Sequence, residues 1–280
     1  MANWKLSAFA DEASPMIDGQ ISALVRNGIP YLEVRGVDTK NIKDVTPAEA
    51  KELKRKLDGS GISVWSMGSP IGKIRLDGNM AEHIEDFKRI IECADILGAK
   101  RIRMFSFYPV PEDSAEATRD KALEAISSLL DVTPDNILLC HENEKGIFGE
   151  NAENCHLILK TFPKIRGVFD PANFVQCGVD TLKAWELLKE YVDYLHIKDA
   201  QADGSVVPAG EGLGNVPYIV RDYLSKGGEV MTLEPHLNHF VGLDALENGE
   251  SLKSSVKRYA SNDESFDAGV SALKNILAKI

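Results

Sequence analysis

Ile137-Leu138-Leu139-Cys140-His141-Glu142 is a short apolar segment that ends at a charged residue, and short apolar segments that end in polar or charged residues recur along the chain. Such a segment, when a longer helical pattern follows it, is typical of a strand buried in a parallel sheet. Because successive parallel strands need a crossover between them, repetition of this unit predicts an α/β fold. Eight segments have this form, at residues 6–10, 31–34, 62–67, 101–105, 137–141, 167–169, 194–197 and 230–233.

The patterns between these segments have the spacing of amphipathic helices. In residues 80–97, for example, apolar side chains recur on one face, and Gly98 follows the last turn. Eight strand–helix units fit a closed (β/α)8 TIM barrel that forms a single domain, residues 1–280. An open doubly wound sheet is the alternative, but no Gly-x-Gly-x-x-Gly pattern follows the first segment. Helical patterns near 246–259 and 266–280 predict an extra C-terminal helical segment.

The composition argues against several classes of protein. Lys and Arg total 32 against 43 Asp and Glu, and the resulting net charge of −11 disfavours nucleic acid or an anionic membrane as a partner. No run of about 18 apolar residues is present, so no membrane helix is expected. The four cysteines are scattered and the first residues lack the apolar part of a secretory signal. We therefore expect reduced thiols and a cytoplasmic protein.

The last four segments end in residues that could bind a metal ion. Glu142 follows the fifth segment, Asp170 the sixth and Glu234 the eighth, while His196 lies within the seventh. Because a TIM barrel has its active site at the carboxyl ends of its strands, we expect these side chains to converge. Three carboxylates and one imidazole suit a single divalent cation. Mn²⁺ fits this ligand set best, and Mg²⁺, Co²⁺ and Zn²⁺ are compatible with it.

Each of these four residues also has an ordinary structural interpretation. A carboxylate at a strand end can cap a helix or pair with a cation, and a His in an apolar strand is commonly a hydrogen-bonded core residue. Considered together, however, three carboxylates at one barrel mouth repel one another and raise their own pKa values. A bound cation removes this conflict, so the pattern favours a metal site.

Four motifs carry a resemblance to a known family. In chain order they are Cys140-His141-Glu142-Asn143-Glu144, Phe169-Asp170-Pro171-Ala172-Asn173, Leu195-His196-Ile197-Lys198-Asp199 and Leu233-Glu234-Pro235. They resemble the strand-end motifs of the sugar phosphate isomerase/epimerase superfamily, whose TIM barrel is xylose-isomerase-like. The layout is most similar to the ketose 3-epimerase and inosose dehydratase branches. The resemblance implies that one divalent metal ion is bound by Glu142, Asp170, His196 and Glu234.

The resemblance also implies an activity. The expected enzyme is a sugar isomerase or epimerase that acts on a ketose or a related polyol through a metal-stabilised enediolate. In such a reaction the metal ion is a Lewis acid that acidifies the C–H bond beside a carbonyl group. Glu142 and Glu234 are the implied acid–base pair, one on each face of the sugar. The alternative for both residues is a role as metal ligands alone.

Five further residues near the strand ends are predicted to contact the substrate. Glu144 lies two residues past the end of the fifth segment, so in an extended chain it points toward the same side as the ligand there. Arg103 of the fourth segment could hold an anionic group. Lys198 and Asp199 could bind hydroxyl groups or pair with each other. At the position of Asn173, ketose 3-epimerases tend to carry a His that touches the substrate, and this departure leaves the epimerase assignment open.

Three other functions remain open from the sequence. A metal-dependent keto-polyol dehydratase of the inosose type would use the same proton abstraction but would then lose a hydroxyl group. DNA repair at abasic sites, as in endonuclease IV, fits poorly with only six His and a negative net charge. A non-catalytic sugar-binding barrel would not need a paired acid and base. A small sugar is therefore the expected partner, and a homo-oligomer, either a dimer or a tetramer, is a family-level expectation.

Overall fold

The computed structural model describes residues 4–243 and 259–280, and it contains a closed barrel of eight parallel strands. The strands follow one another around the barrel in chain order, and the first strand pairs with both the second and the last. This closure confirms the predicted (β/α)8 TIM barrel. The strands are β1 (Lys5–Ala8), β2 (Tyr31–Val34), β3 (Ser63–Met67), β4 (Arg101–Met104), β5 (Leu138–Glu142), β6 (Ile165–Phe169), β7 (Val192–Ile197) and β8 (Val230–Leu233).

Helices connect the successive strands, and a last helix follows β8. They are α1 (Ile17–Asn27), α2 (Pro47–Gly59), α3 (Met80–Leu97), α4 (Ala115–Asp131), α5 (Ala152–Thr161), α6 (Pro171–Gln176), α7 (Thr181–Leu188), α8 (Val216–Ser225) and α9 (Asn262–Leu277). Their ends carry local sequence signals. A capping box between Thr46 and Glu49 begins α2, and Gly98, with a φ of 77°, ends α3 in the left-handed conformation that glycine adopts freely.

Two small antiparallel hairpins extend the loops that follow β2 and β7. Gly36–Val37 pairs with Lys40–Asn41 after β2, and Asp199–Ala200 pairs with Val206–Val207 after β7. Both hairpins therefore add structure to the carboxyl end of the barrel, where active sites of this fold lie.

The apolar faces of the helices pack against the barrel. Phe87, Ile90 and Ala94 on α3 and Trp185 on α7 are completely buried in this layer. Burial of a large apolar side chain contributes about 1.5–3 kcal/mol to folding. Because the helices are fixed in this way along the barrel wall, the strand ends hold their side chains in defined positions.

The chain ends in α9, which confirms the predicted C-terminal helical segment near residues 266–280. Arg26 at the end of α1 forms an ion pair with Asp267 on α9, and Lys274 donates a hydrogen bond to the Asn27 carbonyl. The helix predicted near 246–259 lies almost entirely outside the described residues. Within the described part of the chain, no helix is long and apolar enough to span a membrane.

Candidate metal centre and active site

The carboxyl ends of β5 to β8 place four side chains in one cluster. Glu142 is the last residue of β5, His196 lies near the end of β7, and Asp170 and Glu234 come directly after β6 and β8. All four side chains are buried, and one potential ligand atom from each lies within 4.8 Å of the others. We call Glu142, Asp170, His196 and Glu234 the four-ligand cluster. The structure thus brings together the four residues that the strand-end pattern singles out.

The distances within the four-ligand cluster suit a divalent cation. His196 Nδ1 lies 2.9 Å from Glu142 Oε1 and 3.3 Å from Glu234 Oε2. Atoms that bind one cation at about 2.1 Å lie roughly 3–3.5 Å apart, so these separations match. Asp170 Oδ2 is buried, and its partner is the ammonium group of Lys198, with which it forms an ion pair. Three buried carboxylates and one imidazole with potential ligand atoms this close together are a donor set that fits such an ion.

Two buried cationic side chains lie beside the four-ligand cluster. Lys198 Nζ is 3.0 Å from Asp170 Oδ2 and 3.5 Å from Glu234 Oε2. Arg103 Nη1 is 3.2 Å from Glu142 Oε2, and the rest of this guanidinium group donates to the backbone carbonyls of Gly68 and Ser69. These cations offset part of the negative charge that would otherwise be costly to bury.

Crowding and burial shift the pKa values within the cluster. Burial raises the pKa of Asp170 to about 7, with Lys198 opposing this shift and Glu234 adding to it. Burial would also raise the pKa of Glu234, but Lys198 holds it well below its usual range. Burial lowers the pKa of His196, yet the carboxylates beside it raise that pKa well above its usual value. Asp170 and His196 therefore each hold a proton more tightly than the isolated side chains do.

Glu33 in β2 is a buried carboxylate that sequence reasoning did not identify as part of the site. Its Oε2 lies 3.2 Å from His196 Nε2, and its Oε1 accepts a 2.8 Å hydrogen bond from the Tyr194 hydroxyl. His196 Nδ1 consequently faces the cluster, while Nε2 faces Glu33. The available signal was a charged residue within the apolar segment Tyr31-Leu32-Glu33-Val34.

A second group of charged side chains adjoins the cluster at Glu234. Arg35, one residue beyond β2, is buried and lies with its Nη1 2.8 Å from Glu234 Oε1. Glu12 and His236 are also buried, and one atom of each lies within 4.8 Å of the other and of Glu234. Sequence reasoning missed these three residues, although each follows a barrel strand and so belongs to the end of the barrel where the site was expected.

Three of the five predicted substrate contacts lie at the four-ligand cluster. Arg103 and Lys198 do so through the ion pairs described above, and Asn173 Nδ2 lies 3.4 Å from Glu142 Oε1. Glu144 forms an ion pair of 2.9 Å with Lys73 instead. Burial would raise the pKa of Glu144, but Lys73 and Lys198 lower it below its usual value.

The carboxylate of Asp199 is engaged by the backbone of the Gly-rich loop at residues 210–214. It accepts hydrogen bonds of 2.8 to 3.1 Å from the amides of Ala200, Gly210, Gly212 and Gly214. Asp199 thus fixes the loop that follows β7, and the structure does not bring its carboxylate to the cluster. Substrate contact by Asp199 remains a prediction.

The closed barrel and the four-ligand cluster define a class of TIM-barrel protein with a site suited to a divalent metal ion. A sequence profile of the xylose isomerase-like TIM barrel family matches residues 21–257, and the chain belongs to this family. Membership confirms the resemblance drawn from the strand-end motifs. A search of curated proteins finds no match to this sequence.

Solved structures with low sequence identity share the fold over nearly the whole chain. D-allulose 3-epimerase from Methylomonas sp., in complex with D-allulose, is 15% identical, with a TM-score of 0.75 over 100% of this chain and 98% of that one. The IOLI protein with a bound zinc atom is 15% identical, with a TM-score of 0.73 over 98% of both chains. The probable 3-DHS dehydratase AsbF from Bacillus anthracis is 14% identical, with a TM-score of 0.71 over 98% of this chain and 99% of that one.

Proposed function

We propose that the protein is a metal-dependent sugar isomerase or epimerase that moves a proton on the carbon beside a carbonyl group of a ketose or related polyol. The observation that carries this proposal is the approach of two glutamates, Glu142 at the end of β5 and Glu234 directly after β8, to the same atom, His196 Nδ1. The similar fold of an epimerase that holds D-allulose supports a ketose as the substrate class.

The residues that would hold the metal ion are the four-ligand cluster, and Mn²⁺ is the ion that we propose. When bound, such an ion supplies a Lewis acid that lowers the pKa of a C–H bond beside a carbonyl and stabilises the resulting negative charge. Zn²⁺ is the principal alternative, because the similarly folded IOLI protein contains a zinc atom.

The protein's own part in the reaction is proton transfer and orientation. One of Glu142 and Glu234 takes the proton from the carbon and becomes a carboxylic acid, and the other, already protonated, returns a proton to the opposite face. The pair then exchanges protons with solvent before the next turnover. Arg103 forms an ion pair with Glu142 Oε2, and the side-chain amide of Asn173 contacts Glu142 Oε1. These contacts hold the carboxylate in one orientation, which proton transfer requires.

A metal-dependent dehydratase is the second candidate, and Lys198 is the observation that favours it. The ammonium group lies 3.0 Å from Asp170 and 3.5 Å from Glu234, within the cluster and buried. After removal of the C–H proton, an ammonium in this position can donate a proton to a departing hydroxyl group, which leaves as water. The similar fold of a probable dehydratase supports this alternative.

A panel of ketoses and keto-inositols in deuterated water distinguishes these reactions. An isomerase or epimerase yields a product of the substrate's composition that carries solvent deuterium on carbon, whereas a dehydratase yields a product that lacks one water. The protein is first stripped of metal and then reloaded with Mn²⁺. Turnover that is independent of metal, or the absence of both deuterium incorporation and water loss with every compound, would contradict both proposals.

Variants of the two glutamates test the acid–base assignment. Glu142→Gln and Glu234→Gln are each expected to lower kcat by about 10²–10⁴-fold, the usual contribution of a positioned acid or base. Glu153→Gln, an exposed change in the first turn of α5, is the matched control and is expected to leave kcat unchanged.

A further inference from the structure

Glu12, Glu234 and His236 form a group with the spacing of metal ligands, and it shares Glu234 with the four-ligand cluster. His236 Nε2 lies 3.3 Å from Glu234 Oε1 and 3.4 Å from Glu12 Oε1. These separations match the roughly 3–3.5 Å expected between ligands of one cation. By geometry alone, the group could hold a second divalent ion next to the first.

The guanidinium group of Arg35 lies against all three of these atoms. Its Nη1 is 2.8 Å from Glu234 Oε1 and 3.4 Å from His236 Nε2, and its Nη2 is 3.4 Å from Glu12 Oε1. Arg35 therefore supplies the positive charge that Glu12, Glu234 and His236 would otherwise need from a metal ion. A metal ion and the guanidinium group cannot both contact these atoms at such distances.

Arg35 is held in this position from several directions. Asp11 accepts from Nε at 2.9 Å and from Nη2 at 3.0 Å, a bidentate ion pair. The guanidinium carbon lies 4.3 Å from the ring centre of Phe9 and 4.9 Å from that of Phe240. The side chain of Arg35 is only 3% exposed. A cation stacked and paired in this way is not easily displaced by a metal ion.

All five N–H groups of Arg35 have an acceptor within the protein when His236 carries its ring proton on Nδ1. Asp11 takes two of them, and Glu12, Glu234 and His236 take one each. Since a guanidinium group has five N–H donors and no acceptor, none is left for a substrate. Arg35 therefore acts on the reaction through Glu234.

We infer that Arg35 is a positioning residue that occupies a second cation position, keeps the metal centre mononuclear and holds Glu234 with Oε2 toward the four-ligand cluster. This inference rests on the metal site of the proposed function. Glu12, His236 and Asp11 then hold the guanidinium group of Arg35 and do not bind a second metal ion.

The test compares the number of Mn²⁺ ions bound by wild type and by Arg35→Met, measured by calorimetry on metal-stripped protein. The variant is expected to bind one equivalent more than the wild type. It should also show the electron paramagnetic resonance signal of two coupled Mn²⁺ ions instead of the six-line signal of an isolated one. Affinity at the original site is expected to fall about 10-fold or more, because Glu234 Oε1 loses its fixed partner.

Two further variants identify where the additional ion binds. Arg35→Lys restores a cation and is expected to return to the wild-type number, although without the bidentate contact to Asp11. Arg35→Met combined with Glu12→Gln is expected to lose the additional equivalent. Arg35→Gln replaces Arg35→Met if circular dichroism shows that the latter does not fold, and it carries the same expectation.

Several results would overturn the inference. These are equal numbers of Mn²⁺ in wild type and Arg35→Met, a second equivalent already present in wild type, and an additional equivalent that survives Glu12→Gln. The readout is the difference between variant and wild type and involves no sugar. Failure of the proposed sugar chemistry therefore leaves the result for Arg35 interpretable, whereas a wild type that binds no Mn²⁺ would overturn both the proposed function and this inference.

Discussion

Replacement of Glu33 by Gln is expected to weaken metal binding at the four-ligand cluster while keeping the size of the side chain. Glu33 Oε2 lies 3.2 Å from His196 Nε2, and Oε1 accepts the Tyr194 hydroxyl at 2.8 Å. A carboxylate can accept from both neighbours, whereas a Gln side chain has one oxygen and one NH₂ group. In the variant, the amide oxygen can accept from only one of these two donors, and the Tyr194 hydroxyl has Ser66 Oγ, 3.2 Å away, as another partner. The imidazole N–H of His196 loses its charged acceptor in either arrangement.

The magnitude follows from the hydrogen bond that is lost. A hydrogen bond to a charged group contributes about 1.5–3 kcal/mol, and about 1.4 kcal/mol is a factor of ten in affinity. His196 can offer Nδ1 to a cation only when its proton is on Nε2, and Glu33 stabilises that tautomer. We therefore expect the Kd for Mn²⁺ to rise roughly 10- to 100-fold, the usual effect of changing the partner of a metal-binding imidazole.

Calorimetric titration of Mn²⁺ into metal-stripped protein at neutral pH measures this change. Tyr194→Phe is the matched control, because it removes the hydroxyl from Oε1 and keeps the contact between Glu33 and His196. Its Kd is expected to stay within about a factor of five of the wild-type value. A Kd for Glu33→Gln equal to that of the wild type, with circular dichroism unchanged, would refute the role assigned to Glu33.

Three further predictions concern a ligand, its protonation and a loop. Asp170→Asn is expected to raise the Kd for Mn²⁺ beyond the roughly 100-fold limit of outer-shell changes, and unaltered binding would exclude Asp170 as a ligand. Because the pKa of Asp170 is raised to about 7 and its proton must leave before the carboxylate binds a cation, Mn²⁺ affinity should rise with pH through pH 7, and loss of the His196 proton, whose pKa is also raised, adds to this rise. An Mn²⁺ affinity that does not change with pH, measured by calorimetry, would contradict this. Gly212→Ala places a Cβ atom 2.3 Å from Asp199 Oδ1 and 2.5 Å from the Ala200 carbonyl oxygen. It is expected to lower the free energy of unfolding in urea by about 1–3 kcal/mol. Gly59→Ala, which meets nothing within 4 Å, is the control and should stabilise by about 0.5–1 kcal/mol.

The barrel and the four-ligand cluster could be predicted because two independent rules agree on them. The alternation of apolar segments and helices predicts the fold, and the fold predicts that strand ends converge. Glu142, Asp170 and Glu234 follow apolar segments that are continuous enough to locate those ends. No knowledge of register was needed to group these residues.

Glu33 and Arg35 could not be placed from the sequence because their directions depend on local irregularity. The pairing of β2 with β3 shifts by one residue between Leu32 and Glu33. Simple alternation along β2 therefore does not determine which side chains face the barrel interior. His236 is a similar case. Its backbone has a φ of 45°, an uncommon conformation for a residue other than glycine, so the pattern of apolar residues does not predict where its side chain points.

One oxygen of each carboxylate in the four-ligand cluster is held by an arginine or a backbone amide, and Lys198 contacts the other oxygen of Asp170 and of Glu234. Arg103 contacts Glu142 Oε2, Arg35 contacts Glu234 Oε1, and the Asn173 amide donates to Asp170 Oδ1. If each carboxylate binds a cation through its other oxygen, the protein supplies three oxygens and one imidazole nitrogen. A six-coordinate ion such as Mn²⁺ then has two positions left. A carbonyl oxygen and the neighbouring hydroxyl of a ketose need two positions on the ion. This set of four protein ligands would therefore leave the two positions that a chelated sugar requires.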